Sequence, residues 1–346
     1  MAKIAINGFG RIGRLFFRQA FGKKGLEIAA INDLGDIENL AYLLKYDSVY
    51  RTYDKEVKFK RDAGGVGGEL IVDGKSIKVI QEKELGKLPW KEMKIDVAIE
   101  ATGAFESFEK SAPHVISAGA KRVVISAPAK DAEGVAGGRT ILLGVNEDQF
   151  KTCKVSSNGS CTTNATAPVA AIMHEALGIQ KAFLASTHGY TATQNLVDGP
   201  TRGKDFRRGR AAAVNIAPSF TGAAISVTRG IPELAGKFDG IALRVPIVTG
   251  SLADFTFLTK KRTSVEEVNE IFKKAAKSAR WKGILGVTED QLVSSDIIGM
   301  DYAAMVDLQY TKVVDGDLVK VLAWYDNEWS YVTTLVQHVM KAAENL

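Results

Sequence analysis

The sequence predicts an α/β domain with a doubly wound parallel sheet, followed by an α+β domain with a mostly antiparallel sheet. In the first half, short apolar runs alternate with helical patterns, which is typical of parallel strands covered on both faces. In the second half, strand patterns are joined by a hairpin signal. The length of 346 residues favours two domains. The predicted division is 1–160 and 161–329, with a C-terminal helix over 330–346 that completes the first domain.

The first domain begins with a strand, a helix and a second strand. Residues 3–7 and 27–32 are short and apolar, as buried strands are. Between them Ile12, Leu15 and Phe16 recur at helical spacing. Three later apolar runs are predicted to join the same sheet: 95–100, 122–126 and 140–145.

The second domain combines strands with helices and closes on a helical tail. Ser264 and Glu267 have the spacing of a capping box and predict a helix start. Asp315-Gly316 is a strong hairpin signal between two strand-like runs. The predicted strands are 241–248, 251–258, 305–314 and 318–325.

Composition and charge exclude several classes of protein. The hydrophobic fraction of 46% and the charged fraction of 25% are those of a globular chain, and they argue against disorder, collagen and coiled coil. No run approaches the roughly 18 apolar residues of a membrane helix, and the N-terminus lacks a signal-peptide pattern. Two cysteines exclude a disulfide scaffold and suit a reducing cytoplasm. Four histidines without a CxxC or HExxH pattern predict no metal site, and a net charge of +5 is weak evidence for nucleic acid as a main ligand.

A glycine-rich motif predicts a dinucleotide site. Gly8, Gly10 and Gly13 form a G-x-G-x-x-G pattern that follows a predicted strand and opens a predicted helix. This is the arrangement in which a Rossmann-type fold holds a pyrophosphate at a helix N-terminus. Asp33 follows the next strand, where a carboxylate binds ribose hydroxyls and repels a 2′-phosphate, so NAD is favoured over NADP. The alternative is a glycine-rich turn with a surface aspartate.

Cys161 is the candidate nucleophile. It lies where a strand pattern passes into a helix pattern, and a helix N-terminus lowers the pKa of a thiol by stabilising the thiolate. Ser160 and Thr162 can cap that helix or hold an anion. Because proline is tolerated only in the first turn of a helix, Pro168 is expected to lie early in this one. The alternative is a buried, inert cysteine.

His188 is the candidate base, because a histidine close to a cysteine can take its proton. The sequence does not establish that the two are close in space. His114, His174 and His338 fall in predicted helices, where packing or solvent exposure is expected. Cys153 is interpreted as a structural thiol.

Several ordered motifs resemble the type I family of phosphorylating glyceraldehyde-3-phosphate dehydrogenases over the whole chain. They are Asn7-Gly-Phe-Gly-Arg-Ile-Gly-Arg14, Ser160-Cys-Thr-Thr-Asn164, Tyr190-Thr-Ala-Thr-Gln194, Thr221-Gly-Ala-Ala224 and Trp324-Tyr-Asp-Asn-Glu-Trp-Ser-Tyr331. The resemblance implies NAD-dependent oxidation and phosphorylation of D-glyceraldehyde 3-phosphate to 1,3-bisphosphoglycerate through a cysteine thioester, a step of glycolysis and gluconeogenesis. It also implies a homotetramer in which a loop over 198–210 lies near the neighbouring subunit's cofactor.

The resemblance also implies residue roles. Cys161 is the nucleophile and His188 its base, while Asn327 binds the nicotinamide carboxamide with Tyr331 nearby. The other implied NAD-binding residues are Arg11, Ile12, Asp33, Lys83 and Ser126. The implied inorganic phosphate site is Ser160, Thr162, Thr221 and Gly222, and the implied site for the substrate's 3-phosphate is Thr191, Arg207 and Arg244.

Taken without the resemblance, several of these residues have ordinary interpretations. Arg207 can belong to a solvated basic loop, Arg244 can be a surface charge, and Asn327 can be a turn residue. Gly189 departs from the alanine usual in the family and loosens the backbone beside the base. Three other functions stay open: an erythrose-4-phosphate dehydrogenase, a non-phosphorylating dehydrogenase and a non-catalytic NAD- and RNA-binding protein.

Overall fold

The computed structural model describes residues 1–65, 67–201 and 203–346, so Val66 and Arg202 lie outside the description, the latter within the predicted loop over 198–210. The chain divides into two compact units. The first consists of Met1–Ile141, Glu147–Gly159 and Val332–Leu346, and the second consists of Leu142–Asn146 and Ser160–Tyr331.

The first unit contains a nine-stranded sheet in the order β3-β4-β5-β2-β1-β6-β7-β9-β8. Pairings β3–β4 and β4–β5 are antiparallel and the others are parallel, which confirms the predicted mostly parallel sheet. The strands are β1 (Ala2–Asn7), β2 (Leu26–Asn32), β3 (Val57–Arg61), β4 (Gly68–Val72), β5 (Lys75–Ile80), β6 (Val97–Glu100), β7 (Arg122–Ile125), β8 (Arg139–Thr140) and β9 (Val155–Ser157).

The core of the first unit extends to both faces of its central strand. Ile4, Ala5 and Ile6 follow one another in β1 and are all fully buried. Because successive side chains of a strand point to opposite faces, both faces of the sheet are covered here. The first four helices are α1 (Arg11–Ala20), α2 (Ile37–Lys45), α3 (Phe108–Ser111) and α4 (Pro113–Ile116).

The second unit contains a seven-stranded sheet in the order β11-β12-β10-β13-β16-β15-β14. Pairings β10–β12 and β14–β15 are parallel and the others are antiparallel, which confirms the predicted mostly antiparallel sheet. The strands are β10 (Ile179–Gly189), β11 (Ala217–Phe220), β12 (Phe238–Val245), β13 (Ser251–Thr259), β14 (Leu285–Thr288), β15 (Ala304–Val314) and β16 (Leu318–Tyr325).

Local signals account for the ends of several elements. Ser264 caps a helix by accepting the Glu267 N–H at 3.2 Å, as predicted. Asp315 and Gly316 take φ values of 45° and 74° between β15 and β16, the left-handed conformation that a tight hairpin requires. The remaining helices are α5 (Cys161–Leu177), α6 (Ala223–Gly230), α7 (Val265–Lys277) and α8 (Trp329–Glu344).

Two local predictions are wrong. The strand predicted over 140–145 ends at Thr140, because the chain turns immediately afterwards: Leu142 N–H donates to Asn146 Oδ1 at 2.7 Å and Val145 N–H to Leu142 O at 3.0 Å. Pro168 is the eighth residue of α5 rather than an early one. Its ring leaves one carbonyl of the preceding turn without its helical donor.

Within the ranges described above, no helix is both long and apolar enough to cross a bilayer.

Candidate active site

Cys161 is the first residue of α5. Ser160 caps the helix, its Oγ accepting the Thr163 N–H at 3.0 Å. The thiol therefore lies at the end of a 17-residue helix where the unpaired N–H groups and the positive end of the dipole are found. This placement agrees with the strand-to-helix position predicted from the sequence.

His188 lies close to Cys161. Its Nε2 is 3.3 Å from Cys161 Sγ, although the two residues are 27 positions apart in the chain. His188 is the penultimate residue of β10 and is 4% exposed, whereas Cys161 keeps partial exposure. The thiol and the imidazole, predicted as nucleophile and base, are thus within direct proton-transfer distance.

The second imidazole nitrogen has two neighbours. His188 Nδ1 lies 2.6 Å from Gly189 O and 2.7 Å from Arg244 Nη1. A proton on Nδ1 is donated to the carbonyl and leaves the Nε2 lone pair facing sulfur, as a base requires. A proton on Nε2 instead lets Nδ1 accept from Arg244. The ring thus has a partner for Nδ1 in either tautomer.

The pKa values of both side chains are shifted in the direction that favours their uncharged forms. Burial, and secondarily the charge of Arg244, lower the pKa of His188 to about 3. Burial also raises the pKa of the Cys161 thiol, with Arg244 opposing that shift. The backbone N–H groups at the helix start also lower the pKa of this thiol, as expected from the sequence, but burial of the sulfur outweighs them. Both shifts favour the uncharged forms, a thiol and a neutral imidazole.

Two guanidinium groups near this pair lack a carboxylate partner among the described residues. Arg244 is half-buried, and its Nε is buried without a hydrogen-bond partner in the described part of the chain. Arg208 donates to Thr193 Oγ1 at 2.9 Å and to Ser219 Oγ at 3.0 Å. Its charge lowers the pKa of both Arg244 and His188. Concentrated positive charge of this kind fits an anion such as a phosphate.

The structure brings Arg208 to this group rather than the predicted Arg207. Arg207 is exposed, forms an ion pair with Asp205 at 2.6 Å and stacks over Phe220 with the guanidinium 6.0 Å from the ring centre. Two consecutive arginines cannot be distinguished by residue type, so the sequence held no signal for this choice. Thr191 joins the same group, since its Oγ1 lies 2.9 Å from Thr193 Oγ1.

The residues predicted to hold inorganic phosphate are partly engaged with one another and with the core. Ser160 Oγ lies 2.8 Å from Thr163 Oγ1, and Thr162 Oγ1 lies 3.0 Å from the hydroxyl of buried Tyr325. Thr221 Oγ1 accepts the Ala223 N–H at 3.2 Å at the start of α6. Gly222 caps α6, and α5 and α6 pack against each other.

Tyr325 is a buried residue of the site that the sequence did not single out as such. Its hydroxyl also lies 2.8 Å from Ser186 Oγ, and its ring meets the His188 ring edge-on with centres 6.0 Å apart. It therefore packs behind both the nucleophile and the base. Its one sequence signal is its place in the motif that contains Asn327.

Asn327 and Tyr331 follow β16. Asn327 is 5% exposed, and its Oδ1 lies within hydrogen-bond distance of the hydroxyls of Thr249 and Ser251. Tyr331 is buried in the first turns of α8. Asn327 is consequently held by side chains and is not an exposed turn residue.

The predicted dinucleotide residues surround a cavity in the first unit. The cavity has a volume of about 400 Å³, and its lining includes Gly8, Gly10, Asp33 and Lys83. Gly8 has a φ of +96°, and a Cβ there would lie 2.6 Å from the backbone of Ala101. A Cβ on Gly10 would meet no atom of the chain within 4 Å, so this position faces open space.

The geometry of this cavity fits NAD. A Cβ on Gly13 would lie 2.1 Å from Gly8 O, so glycine is needed where helix and loop pack. Asp33 Oδ2 accepts the Phe9 N–H at 2.6 Å and Oδ1 accepts the Gly35 N–H at 2.8 Å, which hold the carboxylate at the cavity wall. The glycine turn at the N-terminus of α1 has no side chains in the way of a pyrophosphate. The fixed carboxylate of Asp33 suits the hydroxyls of a ribose.

The other predicted NAD-binding residues are not part of the cavity lining described above. Arg11 begins α1, and its guanidinium contacts Asp47 and lies 5.6 Å from the centre of the Tyr50 ring. Ile12 is the next residue of α1. Ser126 directly follows β7 and donates its N–H to Glu100 O at 2.9 Å.

Comparison with known proteins covers both units. Residues 2–108 match the family described as glyceraldehyde 3-phosphate dehydrogenase, NAD binding domain, and residues 160–327 match its C-terminal domain. The chain is 48% identical over 341 residues to a glyceraldehyde-3-phosphate dehydrogenase of Clostridium pasteurianum, covering 97% of each chain. It is 46% identical to one of Borreliella burgdorferi, covering 98% of this chain and 99% of the relative, and 43% identical to glyceraldehyde-3-phosphate dehydrogenase 2 of Kluyveromyces marxianus, covering 100% of each.

These matches agree with the glycine-rich NAD cavity of the first unit and with the paired thiol and imidazole of the second. The chain belongs to the glyceraldehyde 3-phosphate dehydrogenase family of NAD-dependent oxidoreductases.

Proposed function

We propose that this chain converts D-glyceraldehyde 3-phosphate, inorganic phosphate and NAD into 1,3-bisphosphoglycerate and NADH, with Cys161 as nucleophile and His188 as base. The observation that carries the proposal is the 3.3 Å separation between Cys161 Sγ and His188 Nε2. A neutral imidazole at that distance can accept the thiol proton as sulfur attacks a carbonyl carbon.

The first half of the reaction forms a thioester. His188 Nε2 takes the thiol proton while the Cys161 sulfur bonds to the aldehyde carbon, and the carbonyl oxygen becomes an alkoxide. Nε2 returns the proton to that oxygen, which gives a thiohemiacetal. When Nε2 removes the hydroxyl proton again, the hydrogen on carbon leaves as hydride and a thioester carbonyl forms. Bound NAD supplies the acceptor for that hydride.

The second half of the reaction releases the acyl group. An oxygen of inorganic phosphate bonds to the thioester carbon, and the carbon–sulfur bond breaks. The product is an acyl phosphate, and the Cys161 thiolate recovers its proton from His188. The inorganic phosphate is assigned to the residues at the start of α5 and α6, which are Ser160, Thr162, Thr221 and Gly222.

The substrate's 3-phosphate is assigned to Thr191, Arg208 and Arg244. Arg244 Nε is buried without a partner in the described chain, and a phosphate oxygen would satisfy it. A charge-assisted hydrogen bond of this kind orients the aldehyde relative to sulfur. Arg207, which the resemblance implies, is committed to Asp205 and is left out of this assignment.

NAD is assigned to the cavity of the first unit, and the family resemblance also assigns it Asn327. Gly8, Gly10 and the N-terminus of α1 would receive the pyrophosphate, and Asp33 the adenosine ribose. Asn327, with Tyr331 nearby, would hold the nicotinamide carboxamide. Arg11, Ile12, Lys83 and Ser126 remain assigned to the cofactor's phosphates and adenosine through the family resemblance.

The test is an assay of NADH absorbance. Protein is mixed with glyceraldehyde 3-phosphate and either NAD or NADP, with and without inorganic phosphate. We expect sustained turnover only with NAD and phosphate together, and Cys161→Ser should abolish it. His188→Ala should slow hydride transfer by roughly 10²- to 10⁴-fold, the usual contribution of a general base.

The same assay separates the other functions. A higher kcat/KM for erythrose 4-phosphate would favour that dehydrogenase, and phosphate-independent NADH formation would favour hydrolysis of the thioester by water. A protein that binds NAD without any Cys161-dependent turnover would be a binding protein. The paired Cys161 and His188 favour an enzyme over the last of these, and the Arg208–Arg244 anion site favours a phosphorylated substrate.

A homotetramer in the cytoplasm is also proposed. Phe183, Ile241 and Phe220 are 59%, 47% and 83% exposed, and the pairing of β10, β12 and β11 places them on one face of the sheet. Exposed apolar side chains in such a row favour burial against another copy. Both cysteines are free, as expected in a reducing compartment. Light scattering after size-exclusion chromatography tests the mass of the assembly.

A further inference from the structure

Ser251 lies between the segment of the base and Asn327. It is the first residue of β13 and is 1% exposed. Its Oγ donates to Asn327 Oδ1 at 2.8 Å and accepts the N–H of Gly189 at 3.2 Å. One buried hydroxyl therefore contacts both the residue that follows His188 and the amide assigned to the cofactor.

The other hydroxyl near Asn327 has a stronger competing acceptor. Thr249 Oγ1 lies 3.1 Å from Asn327 Oδ1 but 2.9 Å from Asp326 Oδ1. A hydroxyl has one proton, and a hydrogen bond to a carboxylate is stronger than one to an amide oxygen. Thr249 therefore gives its proton to Asp326, and Ser251 is left as the donor to Asn327.

The direction of the Ser251 proton is fixed by Gly189. The Gly189 N–H occupies a lone pair of Ser251 Oγ, so the hydroxyl proton must point elsewhere, and Asn327 Oδ1 is the acceptor within reach. Gly189 has a second contact, because its carbonyl lies 2.6 Å from His188 Nδ1.

This arrangement leaves one end of the Asn327 amide without a partner. Oδ1 accepts the hydroxyl proton of Ser251, whereas Nδ2 has no acceptor among the residues that the structure describes. Asn327 is 5% exposed, so the unpaired donor belongs to a largely buried side chain. Nδ2 is therefore the end of the amide that stays available as a donor to a ligand.

We infer that Ser251 is a positioning residue for the cofactor: it holds the Asn327 amide so that Nδ2 is the end that donates to the carboxamide oxygen of nicotinamide. The inference rests on the proposed function, which assigns the carboxamide to Asn327. Ser251 touches neither the reacting atoms nor, in this assignment, the cofactor. It acts through Asn327 and should affect binding of the nicotinamide end alone.

The test is equilibrium binding, measured by calorimetry on the full-length protein with NAD and with ADP-ribose, which lacks the nicotinamide ring. Ser251→Ala should weaken NAD binding roughly tenfold, the effect of losing one buried hydrogen bond, and should leave ADP-ribose binding within about twofold of the original. Ser251→Cys keeps the size of the side chain but carries a weaker donor, so its affinity for NAD should lie between those of the unmodified protein and Ser251→Ala. It also replaces Ser251→Ala if that variant does not fold.

Two controls sharpen the result. Thr259→Ala removes another buried hydroxyl of β13, one that donates to Lys261 O. This variant should bind NAD and ADP-ribose as tightly as the unmodified protein does. Ser251→Ala in an Asn327→Ala background should cause no further loss of NAD affinity, because the partner through which Ser251 acts is gone.

Three outcomes would overturn the inference. They are unchanged NAD binding by Ser251→Ala, equal loss of NAD and ADP-ribose, or additive losses in the double variant. Failure of the proposed function has a different signature, since the unmodified protein would then bind NAD no better than ADP-ribose or not at all.

Discussion

Arg244 Nη1 lies 2.7 Å from His188 Nδ1, at paired positions of the parallel strands β12 and β10. The same guanidinium opposes the burial-driven rise in the pKa of Cys161. One cation thus biases the protonation of both Cys161 and His188. It favours the neutral form of the imidazole and the anionic form of the thiol.

The first prediction follows from this shared influence. Arg244→Leu should raise the pKa of Cys161 further, because a positive charge that favours the thiolate has been removed. Alkylation of the free protein by iodoacetamide, which needs no substrate, should therefore require a higher pH. The pH dependence of the alkylation rate measures the shift. Arg207→Leu is the matched control, since Arg207 is paired with Asp205, and an equal shift in that variant would contradict the prediction.

The second prediction concerns the neighbouring arginines. Arg208→Ala should lower kcat/KM for glyceraldehyde 3-phosphate by roughly 10- to 100-fold, as expected for a lost hydrogen bond to a charged group. Arg207→Ala should change it by less than about threefold, because an exposed ion pair contributes little. Steady-state kinetics at fixed NAD and phosphate distinguish the two. A larger loss at Arg207 would show that the substrate is bound differently from the assignment.

The third prediction separates two glycines of one motif. Gly10→Ala should alter stability by less than about 1 kcal/mol, since its Cβ meets no atom of the chain, yet it should weaken NAD binding. Gly13→Ala should destabilise the fold by about 1–3 kcal/mol or more, because its Cβ would lie 2.1 Å from Gly8 O. Thermal unfolding and calorimetric binding, applied to both variants, test this contrast. If both variants lost stability equally, Gly10 would have a packing role.

The fourth prediction concerns acid stability. His338 is fully buried beside Ser156 and Asn158, and burial lowers its pKa from 6.5 to about 3. Between pH 6.5 and about 3, the unfolded chain therefore binds a proton at this histidine that the folded chain does not. Its contribution is present above pH 6.5 and is lost as pH falls from there toward 3.

His338→Gln should accordingly flatten the fall of the unfolding free energy between those two pH values. The measurement is denaturant unfolding at several pH values. Ile6→Val, which weakens the core of the same unit without removing a titrating group, should lower stability by about 1 kcal/mol at every pH and keep the original slope. An unchanged slope in His338→Gln would show that the histidine is already protonated in the folded state.

Local patterns predicted much of the architecture. The mostly parallel first sheet, the mostly antiparallel second sheet, the Ser264 cap and the Asp315-Gly316 hairpin were all predicted from neighbours in the sequence. The strand over 140–145 was not, because its end depends on a turn closed by the side chain of Asn146. An apolar run carries no information about such a closure.

The sequence by itself determined the elements, the helix-terminal position of Cys161 and the glycine motif, because periodicity and turn chemistry act between residues close along the chain. Only the tertiary structure decided that His188 reaches Cys161, that Arg208 rather than Arg207 joins Arg244, and that Ser251 directs Asn327. These relationships depend on the pairing register of β10, β12 and β13 and on the direction of individual side chains. A shift of one residue in that register would turn each side chain to the opposite face, so no local pattern could have specified them.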